Sequence, residues 1–404
     1  MIELRTKQFW KASVALGIAS FLIFANVYFT QPLLPLFSEE FSVSPVVSSL
    51  SISLVLLTLG ICFTFYSIFS NAIGRKVIMV ASMIVGTIVT FLIAFAPNYE
   101  VLLAFRVIQA IALAGIPTIA MTYIGEEFSV KALTLAVGIY ISANTIGGMG
   151  GRLMSGIITD LYDWRMAFIG MGILSFIMMI VFIFLLPPSK HFIKEKINKK
   201  VIVEQYRSHL RNRTLRYAYI VGGLHFFLFV GVYNFITYLL SGEPFHVSTT
   251  ILGFLFITYI AGTFSSTYAG KVSQTFYQST CIGIGILIMV VGLLLTLVTN
   301  LTMIFIGLLC LSFGFFFAHS CSSAWVGRYA TKAKSSASGI YLTSYYLCGS
   351  LGSFYFAFFW NAAGWIGVIV GAVFVLIITT YCMFKMYQIE NSIVTNSHSK
   401  GIIV

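Results

Sequence analysis

The strongest constraint on this chain is a succession of eleven or twelve apolar runs, each near or above the roughly 20 residues a helix needs to cross hydrocarbon. The runs predict helices over 12–36, 46–69, 77–96, 101–123, 133–158, 166–187, 217–240, 249–269, 280–299, 302–325, 336–358 and 364–386. Only 9% of the residues are charged and 59% are hydrophobic, whereas a soluble domain is roughly 25% charged. Such a chain cannot keep its surface wet, so lipid has to be its solvent. The expected fold is all-α and integral to the membrane, with twelve transmembrane helices.

The formal net charge of +12 would suit nucleic acid if the basic residues were clustered, but they alternate with the segments. With the N-terminus placed in the cytoplasm, the inner face receives Arg5, Lys7, Lys11, Arg75, Lys76, Lys131, the basic run from Lys190 to Arg216, Lys271, Arg328, Lys332, Lys334, Lys385 and Lys400. The outer face receives Arg165 alone, and Arg106 and Arg152 stay within the membrane. This is the positive-inside pattern, which orients both termini to the cytoplasm. The basic excess is therefore a topology signal, with anionic lipid as its second partner and nucleic acid excluded. The first run is about twice the length of a signal h-region and lacks a small-residue cleavage site, so it is expected to remain as a helix. Cys62, Cys281, Cys310, Cys321, Cys348 and Cys382 lie in or beside helices without CxxC spacing, as inert buried thiols do.

The polar stretch 187–214 is basic and divides the chain into an N-terminal six-helix bundle (1–187), a cytoplasmic linker (188–216) and a C-terminal six-helix bundle (217–404). Val201 to Leu210 within it suits either a basic amphipathic helix on the inner leaflet or a solvated tether. The halves echo each other. "GIYISANTIGGMGG" from Gly138 overlays "GIYLTSYYLCGSLG" from Gly339, pairing Gly148 with Gly349, Gly151 with Gly352 and, further on, Trp164 with Trp365. Two tandem bundles that both start inside predict a pseudo-two-fold axis along the membrane normal and a shared cavity near the midplane.

Small residues recur every fourth position in the fifth segment (Ala143, Gly147, Gly151, Ser155, with Gly148 alongside) and in the eighth (Thr258, Gly262, Ser266, Gly270). In lipid, close backbone approach over small residues is a main source of helix attraction. The two stripes are read either as a moving contact between the bundles or as static packing.

The chain resembles a major facilitator superfamily transporter, and within it the twelve-helix drug/proton antiporter branch of bacterial efflux permeases. "SIFSNAIGRK" resembles the G-x-x-x-D-x-x-G-R-K loop signature, keeping Gly74, Arg75 and Lys76 but placing Ser67 for the glycine and Asn71 for the aspartate. "RVIQA" resembles R-x-x-Q-G, keeping Arg106 and Gln109. The glycine-rich fifth segment resembles the antiporter motif without its proline, and "AGKVSQTFYQS" keeps Gly270 of the second-half loop. The resemblance implies that Asn71, Gly74, Arg75 and Lys76 gate the two halves, while Arg75 and Lys76 equally suit positive-inside charges alone. Asn71 carries no charge, so its latch would be weaker and less salt-sensitive. It also implies proton or substrate coupling through Arg106.

No Asp or Glu falls near the predicted midplane, so a carrier of organic cations would lack its usual buried carboxylate. The intramembrane ionisable groups are instead Arg106, Arg152, His225 and His319, which are functional candidates by default. Arg106 and Arg152 lie at similar depth, and an inward-facing pair would attract a carboxylate or phosphate. Arg152 could equally snorkel outward or pair with Asp160. Imidazole titrates near neutrality, so His225 or His319 could carry a coupled proton, or be a bonded structural histidine. Asn26, Gln31, Asn144, Asn234, Tyr345 and Tyr346 complete the expected cavity groups.

Secondary transport follows, with proton-coupled efflux of a small organic compound or drug by alternating access. The alternative is a uniporter or importer of a neutral or anionic metabolite such as a sugar. The expected partners are the solute, protons and lipid, in a monomer of the bacterial inner or cytoplasmic membrane. There is no HExxH, no paired core carboxylate and no phosphate-cradling loop, so neither enzyme activity nor a cofactor is expected.

Overall fold

The computed structural model describes residues 1–191 and 199–399, with side chains described outside 64, 67–73, 199–203, 335 and 393–399. The first helix, α1, is broken: Lys7–Tyr28 gives way to a 3-10 turn, Gln31–Leu33, and resumes as Leu34–Glu40. Then come α2 (Pro45–Ile73), α3 (Arg75–Ile93), α4 (Tyr99–Leu113, continued by Gly115–Glu127), α5 (Val130–Leu161) and α6 (Trp164–Leu185). The helix Lys199–Arg211 precedes α7 (Arg213–Ser241). After it, α8 passes from Thr249–Phe254 through a 3-10 stretch, Leu255–Tyr259, into Ile260–Val272, and α9 (Gln278–Leu295) and α10 (Leu301–Tyr329) follow.

Lys334–Ser399 holds two helices, α11 (334–362) and α12 (365–399). They part where Ala363 (φ −151°, ψ 27°) and Gly364 (φ 56°, ψ −137°) leave helical dihedrals. Gly364 sits in left-handed space, where a side chain would be strained. Counted as continuous stretches, eleven described segments are long and apolar enough to span a membrane, the last of them containing both α11 and α12. Each predicted segment falls on one observed helix.

Polar residues set where the helices begin. The side chains of Asn98, Asp163, Ser248 and Asn300 accept from backbone N–H groups in the first turns of α4, α6, α8 and α10, satisfying donors that have no partner inside the helix. Pro32 explains the break in α1, because it cannot donate to the carbonyl one turn back.

The chain divides into two compact units, Met1–Ile197 with Thr237–Ile257, and Asn198–Ile236 with Thr258–Val404. In this division the end of α7 and the start of α8 pack with the first six helices. Unit 1 has an aromatic core at one end, where Phe29 meets Phe168 at 4.9 Å and Phe37 meets Trp164 edge-on at 5.6 Å. Unit 2 packs α9 on α10 through glycines. A Cβ added to Gly285 would lie 2.7 Å from the Gly314 carbonyl, and one on Gly292 would lie 2.6 Å from that of Gly307. Backbones this close are what small residues provide in lipid.

Candidate functional site

The break in α1 interrupts its hydrogen-bond ladder, leaving Asn26 O with only a long 3.4 Å bond from Phe29 N–H. Arg106 of α4, with 0% exposure, supplies further donors. Its Nη1 donates to Asn26 O at 2.8 Å, its Nη2 to Val27 O at 2.7 Å and its Nε to Ser51 O of α2 at 3.1 Å. Nη1 also reaches Gln109 Oε1 at 2.6 Å. All four acceptors are neutral, and a guanidinium keeps its proton, so a positive charge is buried here on carbonyl dipoles. The negative end of the first part of α1 favours it.

Asn26 is the hub beside this charge. Its Oδ1 accepts from Gln109 Nε2 and Thr90 Oγ1, each at 3.0 Å, while its Nδ2 donates to Leu22 O at 2.9 Å and Ser175 Oγ at 3.2 Å. Gln109 Nε2 also donates to Thr90 Oγ1 at 2.6 Å. Five helices of unit 1, α1, α2, α3, α4 and α6, thus meet in one polar knot.

Beyond the break, Gln31 serves a second guanidinium. Arg152 of α5, 1% exposed, donates to Gln31 Oε1 from Nε at 2.9 Å and from Nη2 at 2.7 Å, and to Gly148 O at 2.8 Å. Its planar head lies 4.2 Å from the Tyr28 ring centroid and 4.3 Å from that of Phe256, a cation–π sandwich within unit 1. Arg152 therefore does not snorkel outward. Asp160, one of the alternative partners for it, instead accepts from the backbone N–H groups of Thr249 at 3.1 Å and Thr250 at 2.7 Å, capping the start of α8.

Gly147, Gly151 and Gly262 of the two stripes pack on neighbours within their own unit. Gly147 and Gly151 face α1: an added Cβ would run into the backbone of Phe21 and Ala25. Gly262 faces the ring of Phe316 on α10, and Gly270 has open space at its Cβ position. Close approach of α5 to α8 does occur, at Gly156 (2.5 Å from Thr249 O) and Gly253 (2.7 Å from Arg152 O). A period-four stripe marks a packing face without naming the neighbour.

Of the loop signature, Gly74 holds φ +114°, which its lack of a Cβ permits. Arg75 is 4% exposed and grips Glu126 with two bonds, Nη2–Oε1 at 2.6 Å and Nε–Oε2 at 3.1 Å. Lys76 donates to the carbonyls of Ile183 and Leu186 at the end of α6. The side chain of Asn71 lies outside the described residues.

Unit 2 carries both histidines. His225 on α7 has 0% exposure, and among the described residues neither ring nitrogen has a hydrogen-bond partner. His319 on α10 is partly exposed and shares a 2.9 Å hydrogen bond between its Nδ1 and the Tyr341 hydroxyl of α11. Rings wall the region: Phe315 stacks on His319 at 5.9 Å, Tyr345 lies 4.8 Å from His319, and Tyr345 stacks on Phe226 at 3.8 Å and 10°. Tyr346 meets Phe226 edge-on at 5.8 Å. Asn234 lies apart from the histidines and donates to Ser353 Oγ at 2.8 Å. Asn144 is partly buried on α5.

Sequence reasoning missed Ser51, Thr90, Ser175, Phe256 and Tyr341 as partners. A lone Ser or Thr in an apolar helix carries no distinguishing signal, and Phe256 is one of 38 phenylalanines. Tyr341 did stand in the repeat, opposite Tyr140. Among the described residues no group of three or more His, Cys, Asp or Glu gathers as a metal site.

The family model described as Major Facilitator Superfamily matches residues 16–353. Two relatives are the inner membrane transport protein YnfM of Escherichia coli (37% identical, covering 91% of this chain and 88% of that one) and the uncharacterized MFS-type transporter YybF of Bacillus subtilis (35% identical, 93% of each). Among solved structures, a bacterial homologue of the human lysosomal transporter Spinster, in an inward-facing and unoccupied conformation, superposes with TM-score 0.81 over 95% of this chain and 98% of that chain. At 16% identity that likeness shows the fold alone.

Proposed function

This chain belongs to the Major Facilitator Superfamily, and from that premise we propose that it is a secondary active transporter that exports a small organic compound in exchange for protons by alternating access. Membership makes it a multi-pass membrane transporter with a small-molecule substrate, and not an enzyme. The finer reading takes the halves 1–187 and 217–404 as two six-helix bundles about a pseudo-two-fold axis, joined by the linker 188–216. Both termini are read as cytoplasmic, and the protein as a monomer in the bacterial inner membrane, in contact with anionic lipid and with protons as the coupling ion. Efflux and coupling rest on the likeness of the Gly74–Lys76 loop, the Arg106–Gln109 pair and the fifth-segment glycines to the antiporter branch.

The observation that carries a transport site is the broken α1, with Arg106 on the carbonyls before Pro32 and Arg152 on Gln31 beside it. Discontinuous helices with polar groups gathered at the interruption are how many carriers place a binding site inside a membrane. Inside-out vesicles test the reading with a panel of lipophilic dyes, sugars and carboxylates. Uptake of at least one solute, driven by an acid interior and lost on adding a protonophore, is expected. Uptake indifferent to the pH gradient would remove proton coupling.

A second reading, a uniporter or importer of a neutral or anionic metabolite, draws on charge. The buried cations Arg106 and Arg152 face no comparable carboxylate: among the described residues the buried acids are Glu127 and Glu390. Glu127 ends the second part of α4 and holds His191, while Glu390, within α12, holds the start of α9. Counterflow of labelled sugars or carboxylates, with no dye movement, would favour it.

A further inference from the structure

Among the described residues, the membrane-spanning part of unit 2 buries imidazole where a proton-driven carrier would be expected to hold a carboxylate. We infer that His225 and His319, with the Tyr341 hydroxyl, form the site where this chain binds its coupled proton, one proton being shared by the pair. The inference deepens the coupling reading above and rests on it.

Three observations carry it. His225 is fully buried with both ring nitrogens unpartnered among the described residues, whereas buried polar groups are bonded in the large majority of cases. A neutral imidazole presents one N–H and one lone pair, so His225 retains a nitrogen able to accept a proton and has no neighbour that fixes its tautomer. His319, by contrast, is partly exposed and oriented by Tyr341 at 2.9 Å. His319 is thus the less buried of the two and His225 the more buried. Third, one aromatic cluster joins the two: Tyr345 lies 4.8 Å from His319 and stacks at 3.8 Å on Phe226, the residue after His225, and neighbouring sites of like charge titrate as a pair rather than as independent groups.

The surrounding titratable groups do not displace this role. Tyr219 lies on α7, Tyr259 precedes the second part of α8, Cys321 follows His319 on α10, and α11 presents Tyr341, Tyr345, Tyr346 and Cys348, whose Sγ borders Gly223. Tyrosine and cysteine ordinarily titrate above the neutral range. Arg328 and Lys334 stand at helix ends. Glu390, the buried carboxylate of unit 2, accepts from the backbone N–H groups of Gln278 and Ser279 and from Ser279 Oγ.

The step balances simply. Hydronium gives its proton to a ring nitrogen of the pair and leaves as water, and the reverse transfer to water releases it on the opposite face. Only imidazole nitrogens change protonation.

The test counts protons on the purified full-length chain in detergent. A dye-monitored jump from about pH 8 to about pH 5 spans the range in which imidazole changes charge. The double variant His225→Gln/His319→Gln should take up one proton fewer per chain than the wild type, and each single variant should lose less than one. Equal uptake by wild type and double variant would overturn the site, and a loss of two protons would overturn sharing. Tyr341→Phe guards against misfolding in the histidine variants, because it keeps the ring. It should change the ¹⁵N spectrum of the His319 imidazole, and an unchanged spectrum would contradict the orienting role. Solute flux separates the two claims. Normal proton counts with flux blind to a pH gradient would sink coupling and leave the site standing. Gradient-driven flux with unaltered counts in the double variant would sink the site and leave coupling standing.

Discussion

The interiors of the two units are built alike in their packing and unlike in their polar chemistry. In each, a glycine of the repeated stretch presses onto the backbone of an earlier helix, Gly151 onto Ala25 of α1 and Gly352 onto Phe227 of α7. Unit 1 then surrounds two permanent cations with oxygen: Arg106 on three carbonyls and Gln109, Arg152 on Gln31 and Gly148. Unit 2 surrounds two imidazoles with rings and gives them one tyrosine hydroxyl. A guanidinium held at several donors is geometrically fixed and stays charged, whereas an imidazole with free nitrogens can change its charge. The contrast assigns a fixed electrostatic frame to one unit and a changeable charge to the other.

The likeness is broken most forcefully at the glycines. Gly151→Leu and Gly352→Leu should each destabilise by about 3 kcal/mol or more, since overpacking here meets backbone rather than a movable side chain. Thermal melting in detergent should show both variants collapsing. If one melts like wild type, the seams are not equivalent. Next in size is Arg106→Leu, which removes four buried hydrogen bonds at once and leaves Asn26 O with the long bond from Phe29 N–H and Ser51 O with the long one from the Thr30 hydroxyl. A loss of about 1–3 kcal/mol is the scale for leaving buried neutral acceptors unsatisfied. Arg106→Lys should recover only part of it, because one ammonium cannot reproduce the planar fork. Melting of Arg106→Leu indistinguishable from wild type would deny the frame. Smallest is Tyr341→Phe in unit 2, which removes one hydrogen bond and should cost about 1 kcal/mol. A much larger loss would make the His319–Tyr341 contact a structural brace and narrow the difference between the units.

The gross architecture could be read from the sequence because apolar run length and basic-residue alternation are collective signals that survive local exceptions. Arg106, Arg152, His225 and His319 were legible for a related reason, since ionisable groups stand out in apolar helices. Their partners were not. Asn26 stood out as a polar residue, yet nothing marks that its backbone carbonyl, rather than its side chain, receives Arg106. Pro32 was visible as well, but a single proline does not say whether a helix kinks, ends or opens a binding point. Gly147 and Gly151 could be recognised as an approach face, but which helix arrives depends on tertiary order, and here it is α1.

Solute movement under an imposed proton gradient, in proteoliposomes of the full-length chain, tests the division of labour most directly. Proton-coupled exchange through unit 2 predicts that wild type concentrates its solute only while the gradient stands. It also predicts that His225→Gln/His319→Gln still equilibrates the solute but no longer concentrates it. Accumulation by that double variant equal to wild type would contradict it.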